Sequence, residues 1–567
     1  MASNIGLPHP TPIMPSSTPP ADDTPLSRRA FVAVTATAAA GGVIATIPGV
    51  ARSANGRAVP RAFDRSAFEV EERSIGEWQA ALARGELTSR QLVERYLQRI
   101  ESLDTQGPAL RAVLEANPDA LDIAAALDAE RRAGKTRGPL HGIPVLVKDN
   151  IDTADRMHTT AGSEALAGDR PAREAFIVER LRAAGAIVLG KTNLSEWANF
   201  RSTHSSSGWS ARGGQARNPY ALDRSPSGSS SGSGIATAAN YCTVAIGTET
   251  DGSITSPSAA CSLVGLKPTV GLVSRSGIVP ISHTQDTAGP MCRSVADAAA
   301  LLSVIAGPDP RDVATRRARP ADYVAALDAD GLKGARIGVA REKLTGYSVS
   351  ADAAFERALA VMKDRGAVIV DPADITTVSK IGDAEFEVLL YEFKPDLERY
   401  LATRPPGARA RTLEALIAYN RAHADTEMPY FGQEIFEMSA KKGPLTSAAY
   451  RKALAHCRTQ SRTLGLDATF AKHRVEAIVA PTSGPPWLID HVNGDTGSGP
   501  SSTTPCAVAG YPAITVPMGY VHGLPLGITF MGRPWSEATL LKLAYAYEQA
   551  SKVRVAPKFA ARADVPG

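Results

Sequence analysis

The amino-acid sequence predicts an α/β fold, with a mostly parallel, mixed central sheet covered by helices. Three observations predict it. Short, largely apolar segments (142–147, 186–189 and 242–246) alternate with segments of helical period. Apolar runs without in–out alternation are what strands buried on both faces look like. The helical segments also carry their own start and stop signals. No internal repeat is visible.

The elements follow in order. Ser74-Ile75-Gly76-Glu77 and Thr88-Ser89-Arg90-Gln91 have the capping-box pattern that opens a helix. The second of these helices places Leu92, Val93, Tyr96, Leu97 and Ile100 on one face. Another opens at Asn117-Pro118 and stops at Gly134, with proline at the first helical position. The strand at 142–147 ends at Lys148, and a helix at 172–184 leads into the strand at 186–189. Ser, Gly, Arg and Asn then dominate from Ser202 to Ser233, before a small-residue helix at 234–240 and the strand at 242–246. Residues 310–475 read as a more helical and more charged region laid against the sheet, with helices at 351–365 and 383–403. Strands return at 475–480, 513–517 and 527–531, and an amphipathic helix at 536–551 closes the pattern.

Bulk composition excludes several classes. At about 150 residues per domain the length would suit three or four domains, but large α/β enzymes often run as one. Residues 55–567 are read here as one. Apolar residues make up 44% and charged residues 21%, as in ordinary soluble proteins. A net charge of +4 without a run of like charges argues against a nucleic-acid partner. The five cysteines are widely spaced and the ten histidines do not cluster, so neither a disulfide framework nor a zinc site is expected. No metal and no organic cofactor is expected.

Residues 1–54 read as a leader. A stretch rich in Pro, Ser and Thr precedes Ser27-Arg28-Arg29-Ala30-Phe31-Val32 and a weakly apolar run to Val50. Paired arginines before such a run resemble a twin-arginine export signal, and Gly49-Val50-Ala51 offers a small-x-small cleavage site. A periplasmic or secreted location follows as an expectation. A disordered tail and a membrane anchor are the alternatives. No spanning segment is expected in the mature chain.

Three segments carry candidate chemistry. Ser227-Gly228-Ser229-Ser230-Ser231-Gly232-Ser233-Gly234 runs directly into a helix, and Gly247-Thr248-Glu249-Thr250-Asp251-Gly252-Ser253-Ile254 runs directly out of a strand. Glycine-rich turns of this kind point consecutive N–H groups into one concavity, which suits a developing oxyanion. Alone, the serine-rich loop could equally be a linker. Lys148 follows four apolar residues. Burial would favour its neutral form and make it a general base, whereas a surface lysine beside Asp149 is the plainer alternative.

Together these segments resemble the amidase signature family: a lysine after a strand, a Gly/Ser-rich loop, then G-T-[DE]-x-x-G-S-[LIVM]. Ser229 and Ser253 stand 24 positions apart, as the family's bridging serine and nucleophile do. The resemblance extends over residues 70–555, through Lys191-Thr192-Asn193-Leu194-Ser195-Glu196, Gly265-Leu266-Lys267-Pro268-Thr269, Asp286-Thr287-Ala288-Gly289-Pro290-Met291 and Gly532-Arg533-Pro534-Trp535-Ser536-Glu537. Thr250-Asp251-Gly252-Ser253 and Val492-Asn493-Gly494-Asp495 look most like the bacterial peptide-amidase branch. Two positions depart from the usual pattern. Thr255 stands where arginine is common, and Ser227-Gly228 replaces a double glycine.

The resemblance implies an amidase with a Ser-Ser-Lys triad of Lys148, Ser229 and Ser253. Ser253 would attack the amide carbonyl, and Ser229, placed by an unusual cis peptide bond, would relay its proton to Lys148. Backbone N–H groups of Thr250, Asp251 and Gly252 would hold the oxyanion. Ser230 would either support Ser229 or serve the loop's structure. The substrate would be a small-molecule or peptide amide. The alternatives are an amidotransferase A-type subunit with partner subunits, a non-catalytic envelope binding protein, and a Ser-His-Asp site using His141, His158 or His204. Candidate specificity segments are 193–199, 391–401 and 481–495 with Trp487, which could also be core packing. Oligomeric state is not legible in the sequence.

Overall fold

The computed structural model describes residues 70–497, 499 and 501–565. The leader lies outside the described residues. Both capping boxes form. Ser74 Oγ accepts from Glu77 N at 3.2 Å and Glu77 returns a bond to Ser74 N at 2.8 Å, opening the helix Ile75–Arg84. Thr88 and Gln91 do the same for Ser89–Ile100, whose Leu92, Val93 and Tyr96 are fully buried.

Thirteen strands are described: β1 Val113–Ala116, β2 Pro144–Lys148, β3 Ile187–Thr192, β4 Trp209–Ser210, β5 Gly214–Gln215, β6 Val244–Glu249, β7 Val264–Lys267, β8 Thr287–Cys292, β9 Arg336–Val339, β10 Val368–Val370, β11 Ala477–Pro481, β12 Ala513–Val521 and β13 Leu524–Met531. Eleven form one sheet in the order β1-β3-β2-β6-β8-β7-β12-β13-β11-β9-β10, and β4 and β5 form a separate ribbon. The α/β class and the mixed sheet are as expected, but the balance differs from a mostly parallel sheet. Six of the ten pairings are antiparallel, and four are parallel, in two blocks.

The reason lies in the connections. β2, β3 and β6 are joined through the helices Phe176–Ala183 and Ser231–Ala238, which are long enough for parallel crossovers. β12 and β13 are instead a hairpin closed by His522-Gly523, both at positive φ (48° and 76°), as a tight two-residue turn matched to strand twist requires. The sequence pattern stops both strands short of this turn because Pro517 and Pro525 look like breakers. Here they lie in the hairpin, with a register shift beside Pro517. The region 310–475 holds the helices Val349–Asp364, Gly382–Leu401, Leu413–Ala422 and Ala448–Arg458, together with β9 and β10. Those two strands are not foreseen from sequence: at four and three residues they are too short to show a period.

The main hydrophobic core lines the sheet. A second cluster packs Leu390, Phe393 and Leu397 of the helix Gly382–Leu401 against Trp197 and Phe200. It anchors the 193–199 segment, where Trp197, Ala198 and Asn199 all have positive φ. All five cysteines are buried and unpaired. Among the described residues, no helix is long and apolar enough to cross a membrane.

Candidate active site

β2 is buried along its whole length between β3 and β6, and it delivers Lys148 to the interior at 0% exposure. The surface-lysine alternative therefore falls. Asp149 turns away, bonding to Thr160 and standing 3.8 Å from Lys191. Lys148 Nζ lies 2.8 Å from Ser229 Oγ, 2.9 Å from Thr248 Oγ1 and 3.4 Å from Thr248 O. Burial pulls its pKa down to about 7, against the pull of Asp286 and Glu249, which favour the charged form. A neutral amine can donate to both Thr248 oxygens and keep its lone pair for the Ser229 hydroxyl proton.

The serine-rich loop is no linker. Ser229, Ser230, Ser231 and Ser233 are all fully buried. The Gly228–Ser229 peptide is cis, as the family resemblance implied. Gly232 lets the following helix approach Asn193, where an added Cβ would lie 2.4 Å from one backbone oxygen and 2.6 Å from the amide nitrogen. Ser230 Oγ donates to Thr248 O at 3.0 Å and accepts from Thr248 N at 3.1 Å, while Ser230 N donates to Ser253 O at 3.2 Å. Of the two roles open to Ser230, these bonds fit the structural one: it ties the loop to β6 and to the turn beyond.

That turn carries Ser253, which is 8% exposed and whose hydroxyl has no hydrogen-bond partner among the described residues. Gly252 has φ 76°. The N–H groups of Thr250, Asp251, Gly252 and Ser253 likewise donate to no acceptor among the described residues. This is the pattern of a nucleophile and donors left free for a substrate.

The turn is held from behind by carboxylates. Glu249 Oε2 accepts from Ile254 N (2.8 Å), Thr255 N (2.9 Å) and Thr255 Oγ1 (3.1 Å). Thr255 thus fills the usual arginine position by closing the turn with its hydroxyl. Asp286 accepts from Thr250 Oγ1 at 2.6 Å and from Ile281 N and Ser282 N, and burial pushes its pKa up to about 6. Asp251 accepts from Thr503 Oγ1 at 2.5 Å and Thr504 Oγ1 at 2.6 Å. In the sequence, Glu249 and Asp286 show only as letters in motifs, and Thr248, Thr503 and Thr504 carry no signal of their role.

A cavity of about 370 Å³ reaches the site through Asn150, Thr248, Glu249 and Thr250, although Lys148, Ser229 and Ser253 do not line it. Its far wall is the apolar run Ile278–Ile281, and two of its charged pairs are mutually satisfied: Arg275 with Asp312 at 2.6 Å and Arg399 with Asp396 at 2.8 Å. Of the candidate specificity segments, Ala198 and the Asp396–Tyr400 stretch line it. The 481–495 segment meets the site from another side. Asp495 accepts from Trp487 Nε1 at 2.9 Å and from Ser207 Oγ at 2.5 Å, and Ser207 Oγ lies 3.1 Å from where a Gly228 Cβ would sit. Trp487 is half-buried, not core.

The three candidate histidines lie elsewhere. His141 bonds Leu127 O, His158 pairs with Glu115 and His204 with Glu434, so none bonds a serine of the site. His283, Glu392 and Asp396 are close enough together to hold a metal. Their atoms are taken, however. Glu392 accepts from Ser282, Thr284 and Tyr450, and Asp396 from His283 and Arg399. This network fastens the helix Gly382–Leu401 to the 282–284 loop.

Known proteins similar in sequence and fold are amidases and their relatives. The crystal structure of the native peptide amidase from Stenotrophomonas maltophilia superposes with a TM-score of 0.83 at 52% identity, covering 87% of this chain and 99% of that one. An Arabidopsis thaliana protein named probable amidase At4g34880 is 42% identical over 88% of this chain and 93% of its own length. The A-type subunit of the glutamyl-tRNA(Gln) amidotransferase of Chloroflexus aurantiacus is 38% identical, over 83% of this chain and 95% of its own length. The Amidase family model matches residues 91–541. The chain belongs to the amidase family and is an amidase, a hydrolase of carboxamide C–N bonds.

Proposed function

We propose that Ser253 is the nucleophile, Ser229 the proton relay and Lys148 the base of this amidase, and that its substrates include peptides with a C-terminal amide. The carrying observation is the 2.8 Å contact between the buried Lys148 Nζ and Ser229 Oγ, beside a turn whose serine hydroxyl and N–H groups have no hydrogen-bond partner among the described residues. Ser253 Oγ bonds to the amide carbon as its proton passes to Ser229 and that of Ser229 passes to Lys148. Backbone N–H groups of Thr250, Asp251 and Gly252 hold the oxyanion, each such donor being worth about 3–4 kcal/mol of barrier. The C–N bond then breaks, and the proton returns along the same path to the departing ammonia or amine. Water repeats the attack on the acyl-enzyme and releases the carboxylate.

Similarity to a peptide amidase at 52% identity supports the peptide-amide reading. The experiment is a panel of C-terminal peptide amides, anilides and simple aliphatic amides given to the purified chain alone. Release of ammonia from peptide amides, at kcat/KM well above that for aliphatic amides, is expected. Turnover only after a partner subunit is added would favour the amidotransferase-type reading instead.

We also propose that residues 1–54 are a twin-arginine leader and that 55–567 act as one domain outside the cytoplasm. The pair Arg28-Arg29 before a small-residue apolar run supports it. Replacing both arginines by lysine is expected to hold the protein in the cytoplasm on cell fractionation. Unchanged export would refute it.

A further inference from the structure

Behind the turn sits an acid that the reaction does not use. Glu385, 7% exposed in the first turn of the helix Gly382–Leu401, lies beside the carboxyl of Asp251. Its Oε1 accepts from Gln285 Nε2 at 2.8 Å, and the same nitrogen reaches Thr250 O at 3.3 Å. One side chain from the helical region is thus linked to the proposed nucleophile's turn through Gln285 at Thr250, and faces that turn's Asp251.

Two neighbouring carboxyl groups taken out of water resist being charged together, so one of them carries a proton. Their surroundings decide which. Asp251 has Thr503 Oγ1 on one oxygen and Thr504 Oγ1 on the other, and Lys267 attracts its negative charge from β7. Glu385 has only the neutral Gln285 amide as a further partner. The proton therefore rests on Glu385, next to an ionised Asp251.

We propose that Glu385 is a positioning residue that holds the oxyanion turn Thr250–Ser253 by donating its proton to Asp251, and that ionising it slackens the turn. This rests on the triad reading above and deepens it. Burial and the adjacent Asp251 charge both keep Glu385 protonated well above the usual carboxylate range, so the tie persists at neutral pH and fails on the alkaline side. The other titratable groups facing the pair are Glu249 at the end of β6, Lys267 on β7, Cys506 on the helix Thr504–Ala509, and Cys457, which faces Glu385 from the helix Ala448–Arg458. Burial pushes both thiols up to about 12, so they do not titrate in the working range.

The test is the pH profile of kcat for the full chain and for Glu385→Gln and Glu385→Ala, with the thermal transition confirming that each is folded. In the unsubstituted protein, kcat should rise with pH as Lys148 loses its proton and then fall on the alkaline side. Glu385→Gln, which still has an N–H to donate, keeps the rise and loses the fall. Glu385→Ala lowers kcat about tenfold to a hundredfold with little change in KM, less than outright removal of an oxyanion donor. An alkaline fall that persists with the same midpoint in Glu385→Gln would assign it to another group, such as Lys267, and overturn the proposal. So would an unsubstituted profile with no fall. Should Glu385→Ala not fold, Glu385→Gln decides alone. Absence of the acid-side rise from every variant would instead count against Lys148 as the base, which separates failure of the triad from failure of this inference.

Discussion

Substituting Ser253 by alanine is expected to lower kcat by about four to six orders of magnitude, since residues that act as one catalytic unit lose nearly all of its effect together. The fold should survive. The Ser253 hydroxyl makes no hydrogen bond among the described residues, and its removal leaves Ser230 N bonded to Ser253 O and Glu249 bonded to Ile254 N and Thr255 N. Substrate affinity should change little, because the turn's donors are backbone groups. Ammonia release from a peptide amide by the purified variant, measured beside its thermal transition, checks this. Retained turnover by a folded variant would move the nucleophile elsewhere.

The second large effect concerns Lys148. Below about pH 7 it gains a proton and can no longer accept one from Ser229, so kcat should fall as pH drops through that value. The direction follows from burial, which disfavours the charged form and sets the neutral amine's range far lower than in an exposed lysine. Lys148→Met, close in length and without charge, should lose activity by about three orders of magnitude or more and lose the acid-side dependence with it. Residual turnover that still tracks the same acid-side change would identify a different base. Because the side chain is fully enclosed, methionine is preferred to alanine, which would leave a cavity.

Much of this is legible in the sequence, for physical reasons that can be named. The strand before Lys148 is apolar at every position because it is buried on both faces, although that pattern alone leaves a surface lysine the plainer reading of its end. The capping boxes at Ser74 and Thr88 are local, so they read correctly without tertiary knowledge. The order and spacing of the Ser/Gly loop and the 247–254 motif, with the resemblance they carry, point to all three residues of the proposed triad, and the structure brings Lys148 and Ser229 into contact and ties the loop to the Ser253 turn.

What escapes the sequence is non-local. The antiparallel middle of the sheet includes a hairpin at His522-Gly523, hidden between prolines that usually end strands. β9 and β10 are too short for a period to show, and join the sheet only through β11. Thr255 looks like a missing arginine, but in this chain its hydroxyl and N–H close the turn on Glu249. Glu385 has no signal at all. It lies in a charged helical stretch, and its contact with Asp251 spans more than a hundred residues of chain.

The most direct measurement of the central claim is to react the protein with a fluorophosphonate and map the adduct by peptide mass spectrometry. The account predicts a single stoichiometric label on Ser253, absent in Ser253→Ala and strongly slowed in Lys148→Met. A label on any other residue, or labelling of Ser253 at an undiminished rate without Lys148, would contradict it.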